Sequence, residues 1–116
     1  MAGFVPIVVH GVETVLIDDD PIIHQLWRKA AETVGKAFTS FNNVDSFLNV
    51  CERFDPRTPI YLDSNLGNGA RGELLAAKIY ARGFTSIYLV TGFSRRDFKP
   101  SSQIKAVLDK NPPWKM

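Results

Sequence analysis

Residues 15–21, V-L-I-D-D-D-P, decide how the rest of the chain is interpreted. The first three are large or β-branched apolar residues that follow Thr14, a composition typical of a strand buried on both faces. Three carboxylates come next, and Pro21 then stands where a helix can begin. A buried strand that ends in acids puts negative charge at the carboxyl edge of a sheet, where open α/β folds have their ligand sites.

The three adjacent acids, Asp18, Asp19 and Asp20, have two interpretations. Carboxylates held this close repel one another unless a cation joins them, and Mg²⁺ suits one or two carboxylates together with phosphate oxygens. Alternatively, the acids cap the following helix and complement its dipole. A run of three acids favours the cation.

The bulk composition describes an ordinary globular protein of one domain. Its 116 residues are 45% hydrophobic and 22% charged, with a formal net charge of +2. We therefore expect no nucleic-acid partner, and no apolar run approaches the roughly 18 residues of a membrane span. The single cysteine, Cys51, excludes an internal disulfide and agrees with a cytoplasmic location. We expect Cys51 to be a core residue with no basic neighbour.

The chain alternates between strand-like and helix-like segments, which predicts a doubly wound parallel sheet of the α/β class. A helix begins at Asp20 and Pro21, contains His24 as a polar or partly packed residue, and ends at Gly35. Residues 64–72 are a glycine-rich loop. The predicted strands are residues 14–17, 37–41, 60–62, 86–90 and 104–108, with residues 4–9 as an extra candidate, and the other predicted helices are residues 44–54, 73–82 and, weakly, 94–102. The first helix has an apolar stripe at residues 22, 23, 26, 27, 30, 31 and 34. The second has an apolar stripe at residues 44, 47, 48, 51 and 54, and Asn42-Asn43 before it is a turn or helix cap.

Four of these strands end in polar residues that meet at one edge of a parallel sheet. The residues are the acidic run 18–20, Asp63, Thr91 and Lys110. Together they make a phosphoryl site, in which Mg²⁺ neutralises the acids and Asp63 attacks phosphorus. Thr91 and Lys110 hold the other phosphoryl oxygens.

The residues from 14 to 110 resemble the receiver domain of two-component response regulators. The stretches D-D-D-P-I-I-H-Q-L-W and D-K-N-P-P-W are most similar to receivers of hybrid sensor histidine kinases. The resemblance implies a flavodoxin-like sheet of strand order 2-1-3-4-5, with a receiver at residues 14–116 and an N-terminal extension at residues 1–13.

The resemblance also implies a role for each matching residue. Asp63 is the phosphoacceptor, and the Mg²⁺ ligands are Asp18, Asp19, Asp63 and the backbone carbonyl of Asn65. Thr91 is the switch hydroxyl and Lys110 the site lysine. The donor is then a histidine kinase or phosphotransfer domain, and the chain catalyses only its own phosphorylation and dephosphorylation.

Several residues depart from the receiver pattern. The loop at residues 64–72 has no proline, and Val107 stands where receivers usually have an aromatic residue. The usual Lys-Pro pair is replaced by Lys110-Asn111-Pro112. Lys99 does precede a proline, but it follows Thr91 by only eight residues, too few for a helix and a strand, so we favour Lys110.

The end of the chain departs most strongly. Six residues follow Lys110, too few for the helix that usually completes a receiver. Either the sequence is a fragment of a longer protein, or something else covers the apolar face that this helix would cover. We expect that apolar surface, together with residues 4–9, to support a homodimer.

Two other functions stay open. In a small phosphohydrolase similar to haloacid dehalogenases, Asp18 is the nucleophile, although Pro21 and the short chain argue against it. In a degenerate receiver the acids are vestigial and the domain binds partners without being phosphorylated.

Overall fold

The structure is a computed structural model, and it describes residues 13–66, 70–92 and 102–114. Its seven strands are β1 (Thr14–Ile17), β2 (Phe38–Phe41), β3 (Ile60–Asp63), β4 (Asn65–Leu66), β5 (Ala70–Arg71), β6 (Ile87–Val90) and β7 (Ala106–Leu108). Five of them form a sheet in the order β2-β1-β3-β6-β7, and every pairing in that sheet is parallel. The predicted doubly wound sheet of order 2-1-3-4-5 is therefore confirmed.

Three predictions lie on residues that the structure does not describe. They are the extra strand at residues 4–9, all but the last residue of the weak helix at 94–102, and the alternative lysine, Lys99.

The continuous apolar runs lie at the centre of the sheet. All four residues of β1 are buried, and β1 pairs with both β2 and β3. The edge strands β2 and β7 are half-buried along their whole lengths. Burial on both faces favours apolar side chains, which explains why residues 15–17 of β1 are all apolar.

Helix α1 (Pro21–Val34) begins and ends where the sequence predicts. Asp20 is its N-cap, Pro21 occupies the first turn, and Gly35 ends it with a φ of 70°, a left-handed conformation that glycine adopts without strain. Two residues of the predicted apolar stripe, Ile22 and Leu26, are instead 70% and 46% exposed.

The prediction of one helix over residues 44–54 is wrong. Helix α2 (Val44–Leu48) starts at the predicted asparagine cap, but a separate 3₁₀ turn, Cys51–Arg53, follows it. Asn49 and Val50 lie between the two, and both residue types favour the helix weakly. The apolar stripe still faces the core, since Phe47 and Cys51 are buried.

The prediction of a glycine-rich loop over residues 64–72 is also wrong for most of its described residues, while residues 67–69 lie outside the described part of the chain. Strands β4 and β5 pair antiparallel, with Asn65 opposite Arg71 and Leu66 opposite Ala70. Helix α3 (Gly72–Tyr80) starts directly after β5, one residue earlier than predicted.

The core has two parts, one on each face of the sheet. The larger contains Phe47, Ile79 and Phe84, which belong to or follow helices α2 and α3. The smaller surrounds Trp27 of α1, whose ring contacts Phe38, Tyr61 and Trp114. Trp114 thus packs against α1 just beyond β7. The homodimer through this face stays a prediction.

None of the helices in the described ranges is long and apolar enough to cross a membrane.

Candidate functional site

Three carboxylates come together at the carboxyl edge of the sheet. Asp18 and Asp19 directly follow β1, and Asp63 is the last residue of neighbouring β3. One ligand oxygen from each lies within 4.8 Å of the others. Asp18 and Asp63 are buried, whereas Asp19 is exposed. The cluster therefore has two carboxylates within the protein and one open to solvent.

Lys110 supplies the positive charge next to this cluster. Its ammonium group donates hydrogen bonds of 3.1 Å to Asp18 Oδ2 and to Asp63 Oδ1. Burial by itself lowers the pKa of Lys110, but the hydrogen bond to Asp63 and the charges of both acids outweigh burial and raise the pKa. Lys110 is thus held in its charged form between two buried carboxylates.

Asp18 has no exposed surface and is bonded through several of its atoms. Its backbone nitrogen donates to the carbonyl of Phe41 at 3.0 Å, and its Oδ1 accepts from the backbone nitrogen of Asp20 at 2.9 Å. Its own carbonyl accepts a hydrogen bond from Nε2 of His24. These bonds satisfy the buried polar atoms of Asp18 and fix the residue in place.

The acidic run is divided between the two interpretations that the sequence left open. Asp20 is the helix cap, since its carboxylate accepts from the backbone nitrogen of Ile22 at 2.9 Å. Asp18 and Asp19 belong instead to the cluster with Asp63. Capping thus accounts for one acid and leaves two at the sheet edge.

The remaining predicted site residues also lie near this edge. Thr91 is buried directly after β6, and its backbone nitrogen donates to Leu108 at 2.9 Å. Asp63 pairs in register with Val90, so Thr91 lies one residue beyond the position opposite Asp63. Asn65 begins β4 two residues after Asp63.

Sequence reasoning missed the close packing of Gly72 beneath the site. A Cβ atom at Gly72 would lie 2.9 Å from the carbonyl oxygen of Asp63, 2.9 Å from Cα of Ser64 and 2.8 Å from Cδ2 of Leu89. Such distances exclude a side chain. Three glycines in the predicted loop indicated a turn, but nothing local distinguished Gly72 as the one against β3.

The expectation that Cys51 has no basic neighbour is wrong. Cys51 is a core residue as predicted, but Arg82 donates a 3.2 Å hydrogen bond to its sulfur. The two residues are 31 positions apart, so only the tertiary structure reveals the contact.

The chemistry of the cluster fits a small divalent cation. Asp18, Asp19 and Asp63 can each offer one carboxylate oxygen, and these three oxygens lie within 4.8 Å of one another. Oxygen is the ligand that Mg²⁺ prefers, and the exposed Asp19 leaves the cluster accessible from solvent.

Comparisons with known proteins agree with the fold. The BeF3-activated solution structure of SdrG from Pseudomonas melonis Fr1 superimposes with a TM-score of 0.70 at 23% identity, over 90% of this chain and 86% of SdrG. The response regulator StyR gives a TM-score of 0.66 at 21% identity, over 90% of this chain and 54% of StyR. No protein-family model matches the sequence, and no curated protein matches it significantly. The chain therefore has the fold of response regulator receiver domains.

Proposed function

We propose that this chain is a phosphoacceptor domain of a two-component phosphorelay. It takes a phosphoryl group from the phosphohistidine of a histidine kinase or phosphotransfer domain onto Asp63. The observation that carries this proposal is the position of Asp63, a buried carboxylate at the end of β3 that lies with Asp18, Asp19 and Lys110.

In the proposed reaction, a carboxylate oxygen of Asp63 attacks phosphorus as the nucleophile. The new oxygen–phosphorus bond forms as the nitrogen–phosphorus bond of the phosphohistidine breaks, and the electron pair leaves with the imidazole. Lys110 binds an oxygen of the transferred group, since its ammonium already lies 3.1 Å from Asp63. The Thr91 hydroxyl donates a hydrogen bond to another oxygen of the transferred group.

Asp18, Asp19, Asp63 and the backbone carbonyl of Asn65 would hold Mg²⁺. The bound ion neutralises phosphoryl charge, which is where most of the catalysis of phosphoryl transfer originates. Asp18 and Asp63 are held by Lys110 before any cation binds, so the two buried ligands are preorganised.

An exposed apolar pair on α1 supports a helical protein as the donor. Ile22 and Leu26 are one helical turn apart, and both are substantially exposed. Ile22 lies within four residues of Asp18 and Asp19, so a partner that packs on this pair is brought to the acidic edge. Apolar side chains at this spacing match the contact stripe of a second amphipathic helix.

The test identifies the residue that carries the phosphoryl group. The protein is incubated with Mg²⁺ and acetyl phosphate and then reduced with borohydride, which converts an acyl phosphate on aspartate to homoserine. Peptide mapping is expected to place homoserine at position 63 in the wild type and at no position in Asp63→Asn. Homoserine at position 18 would indicate the phosphohydrolase instead, and no homoserine at any position would indicate the degenerate receiver.

A further inference from the structure

We propose that His24 is a positioning residue for the acidic cluster, and that Ser40 holds its ring in the required tautomer. The inference rests on the proposed function, because the group that His24 positions is the pair of Mg²⁺ ligands Asp18 and Asp19. His24 is buried, and it takes no part in the proposed phosphoryl transfer.

The hydrogen-bond partners of His24 define its tautomer. Nε2 contacts the carbonyl oxygen of Asp18, which can only accept, so Nε2 carries a hydrogen. In the tautomer that carries its hydrogen on Nε2, Nδ1 is an acceptor, and it lies 2.7 Å from the hydroxyl oxygen of Ser40. Arg28 donates to the same hydroxyl oxygen at 3.2 Å, so this oxygen already accepts one hydrogen bond and its own hydrogen is available to Nδ1.

These bonds form one directed chain from the surface to the cluster. Arg28 donates to Ser40, Ser40 donates to His24, and His24 donates to the carbonyl of Asp18. The two inner groups, the Ser40 hydroxyl and the His24 ring, each accept one hydrogen bond and donate the next. A histidine whose second nitrogen is occupied in this way has a fixed ring orientation.

The bond to Asp18 acts on the peptide that joins the two predicted metal ligands. The carbonyl of Asp18 belongs to the planar Asp18–Asp19 peptide. A hydrogen bond that fixes the direction of this carbonyl therefore also fixes the position of the backbone nitrogen of Asp19. The nitrogen of Asp18 is bonded to the carbonyl of Phe41, the neighbour of Ser40 on β2. Both backbone groups of Asp18 are thus connected to the end of β2, one directly and one through His24.

A purely structural role for His24 makes a different prediction. If the imidazole only fills space beside α1, an apolar residue of similar size replaces it without consequence for the cluster. If the donated hydrogen bond matters, glutamine substitutes for histidine and leucine does not, because the glutamine amide carries a hydrogen at a position comparable to Nε2.

The experiment compares His24→Leu, His24→Gln and Ser40→Ala with the wild type. The control is Thr33→Ala, which removes a hydroxyl that donates to the backbone carbonyl of Lys29 on α1. Mg²⁺ affinity is measured by calorimetry on the full chain, and circular dichroism confirms folding. We expect about tenfold weaker Mg²⁺ binding for His24→Leu and about threefold for Ser40→Ala, with His24→Gln and Thr33→Ala within twofold of the wild type.

Nitrogen NMR of the metal-free protein gives a readout that does not depend on Mg²⁺. The chain has two histidines, His10 and His24, so the spectrum of His24→Gln identifies the signals of His24. We expect a protonated Nε2 and an unprotonated Nδ1 in the wild type, and a mixture of tautomers in Ser40→Ala.

Two results would overturn the inference while the proposed function stands. One is a folded His24→Leu variant that binds Mg²⁺ as the wild type does, and the other is a hydrogen on Nδ1 instead of Nε2. Should His24→Leu not fold, wild-type affinity and a single tautomer in Ser40→Ala would overturn it equally. A wild type that binds no Mg²⁺ and accepts no phosphoryl group would overturn both proposals.

Discussion

The indole nitrogen of Trp27 donates a 3.0 Å hydrogen bond to the backbone carbonyl of Lys110. The ammonium of the same lysine lies 3.1 Å from Asp63. Lys110 therefore joins the acidic cluster, through its side chain, to the aromatic residues around Trp27, through its backbone. We therefore expect a change in what Lys110 binds at the sheet edge to affect the buried indole of Trp27.

The fluorescence of Trp27 should report on the site. The chain has two tryptophans, so Trp114→Phe leaves Trp27 as the single source of tryptophan emission. In this variant we expect Mg²⁺ and then acetyl phosphate each to change the emission. The physical reason is that Lys110 must adjust to a cation and then to a phosphoryl group. In Asp63→Asn the change on adding acetyl phosphate should be lost. Unchanged emission from a protein that mass spectrometry shows to be phosphorylated would contradict the coupling.

Replacing Lys110 with methionine should destabilise the metal-free protein. The substitution removes the ammonium that contacts the buried carboxylates of both Asp18 and Asp63, and loss of one partner from a buried pair costs about 3–5 kcal/mol. The Lys110 side chain is 28% exposed, so we expect a smaller loss of about 2 kcal/mol in the free energy of unfolding. Urea denaturation measures this loss, and added Mg²⁺ should reduce it.

The same pair of proteins predicts a dependence on alkaline pH. The folded pKa of Lys110 is raised above its ordinary value of 10.5, so its contribution to stability is complete below that pH. As pH rises through the folded pKa, the contribution is lost. The difference in unfolding free energy between wild type and Lys110→Met should therefore be constant from pH 7 to 9 and shrink above about pH 10.5. A difference that grows with pH would contradict the ion pair.

Gly72→Ala should destabilise the protein and disturb the site. The new Cβ would meet the backbone of Asp63 and Ser64 at 2.9 Å, and backbone cannot move aside as a flexible side chain can. We expect a loss of about 1–3 kcal/mol in thermal or urea unfolding, together with weaker Mg²⁺ binding. Gly92→Ala is the matched control for stability, because a Cβ at Gly92 meets nothing within 4 Å. Equal stability of the two variants would contradict the close packing.

Mutations should separate the role of Asp19 in the acidic cluster from the role of Asp20 as the helix cap. Asp19→Asn removes a charge from the cluster and should weaken Mg²⁺ binding by about tenfold or more, equivalent to about 1.4 kcal/mol. Asp20→Asn keeps an N-cap of equal quality and should leave Mg²⁺ affinity within about twofold of the wild type. Calorimetric titration distinguishes them, and a larger effect at Asp20 than at Asp19 would reverse the assignment.

The fold and the meeting of the acids followed from local sequence patterns. A strand buried on both faces is mostly apolar, so residues 15–17 were sufficient to predict β1 without a structure. The Asp20-Pro21 start and the Gly35 end of α1 are properties of single residues at fixed positions. Parallel pairing then brings Asp63 to Asp18 regardless of side-chain detail.

What the sequence did not reveal depends on contacts between distant residues. The bond from His24 to Asp18 and the one from Arg82 to Cys51 form only once the helices have packed on the sheet. Helix α2 ends early because Asn49 and Val50 favour the helix weakly. The apolar stripe continues past these two residues, so the stripe alone predicted a helix that is too long. Periodicity identifies a buried face but not where the backbone leaves the helix.

The most direct test of the central claim is the intact mass of the protein after incubation with acetyl phosphate. It is measured with and without Mg²⁺, for the wild type and for Asp63→Asn. The proposed function predicts one added phosphoryl group on the wild type, only with Mg²⁺, and none on Asp63→Asn. An unmodified wild type, under conditions that label a known receiver, or equal labelling of Asp63→Asn would contradict it.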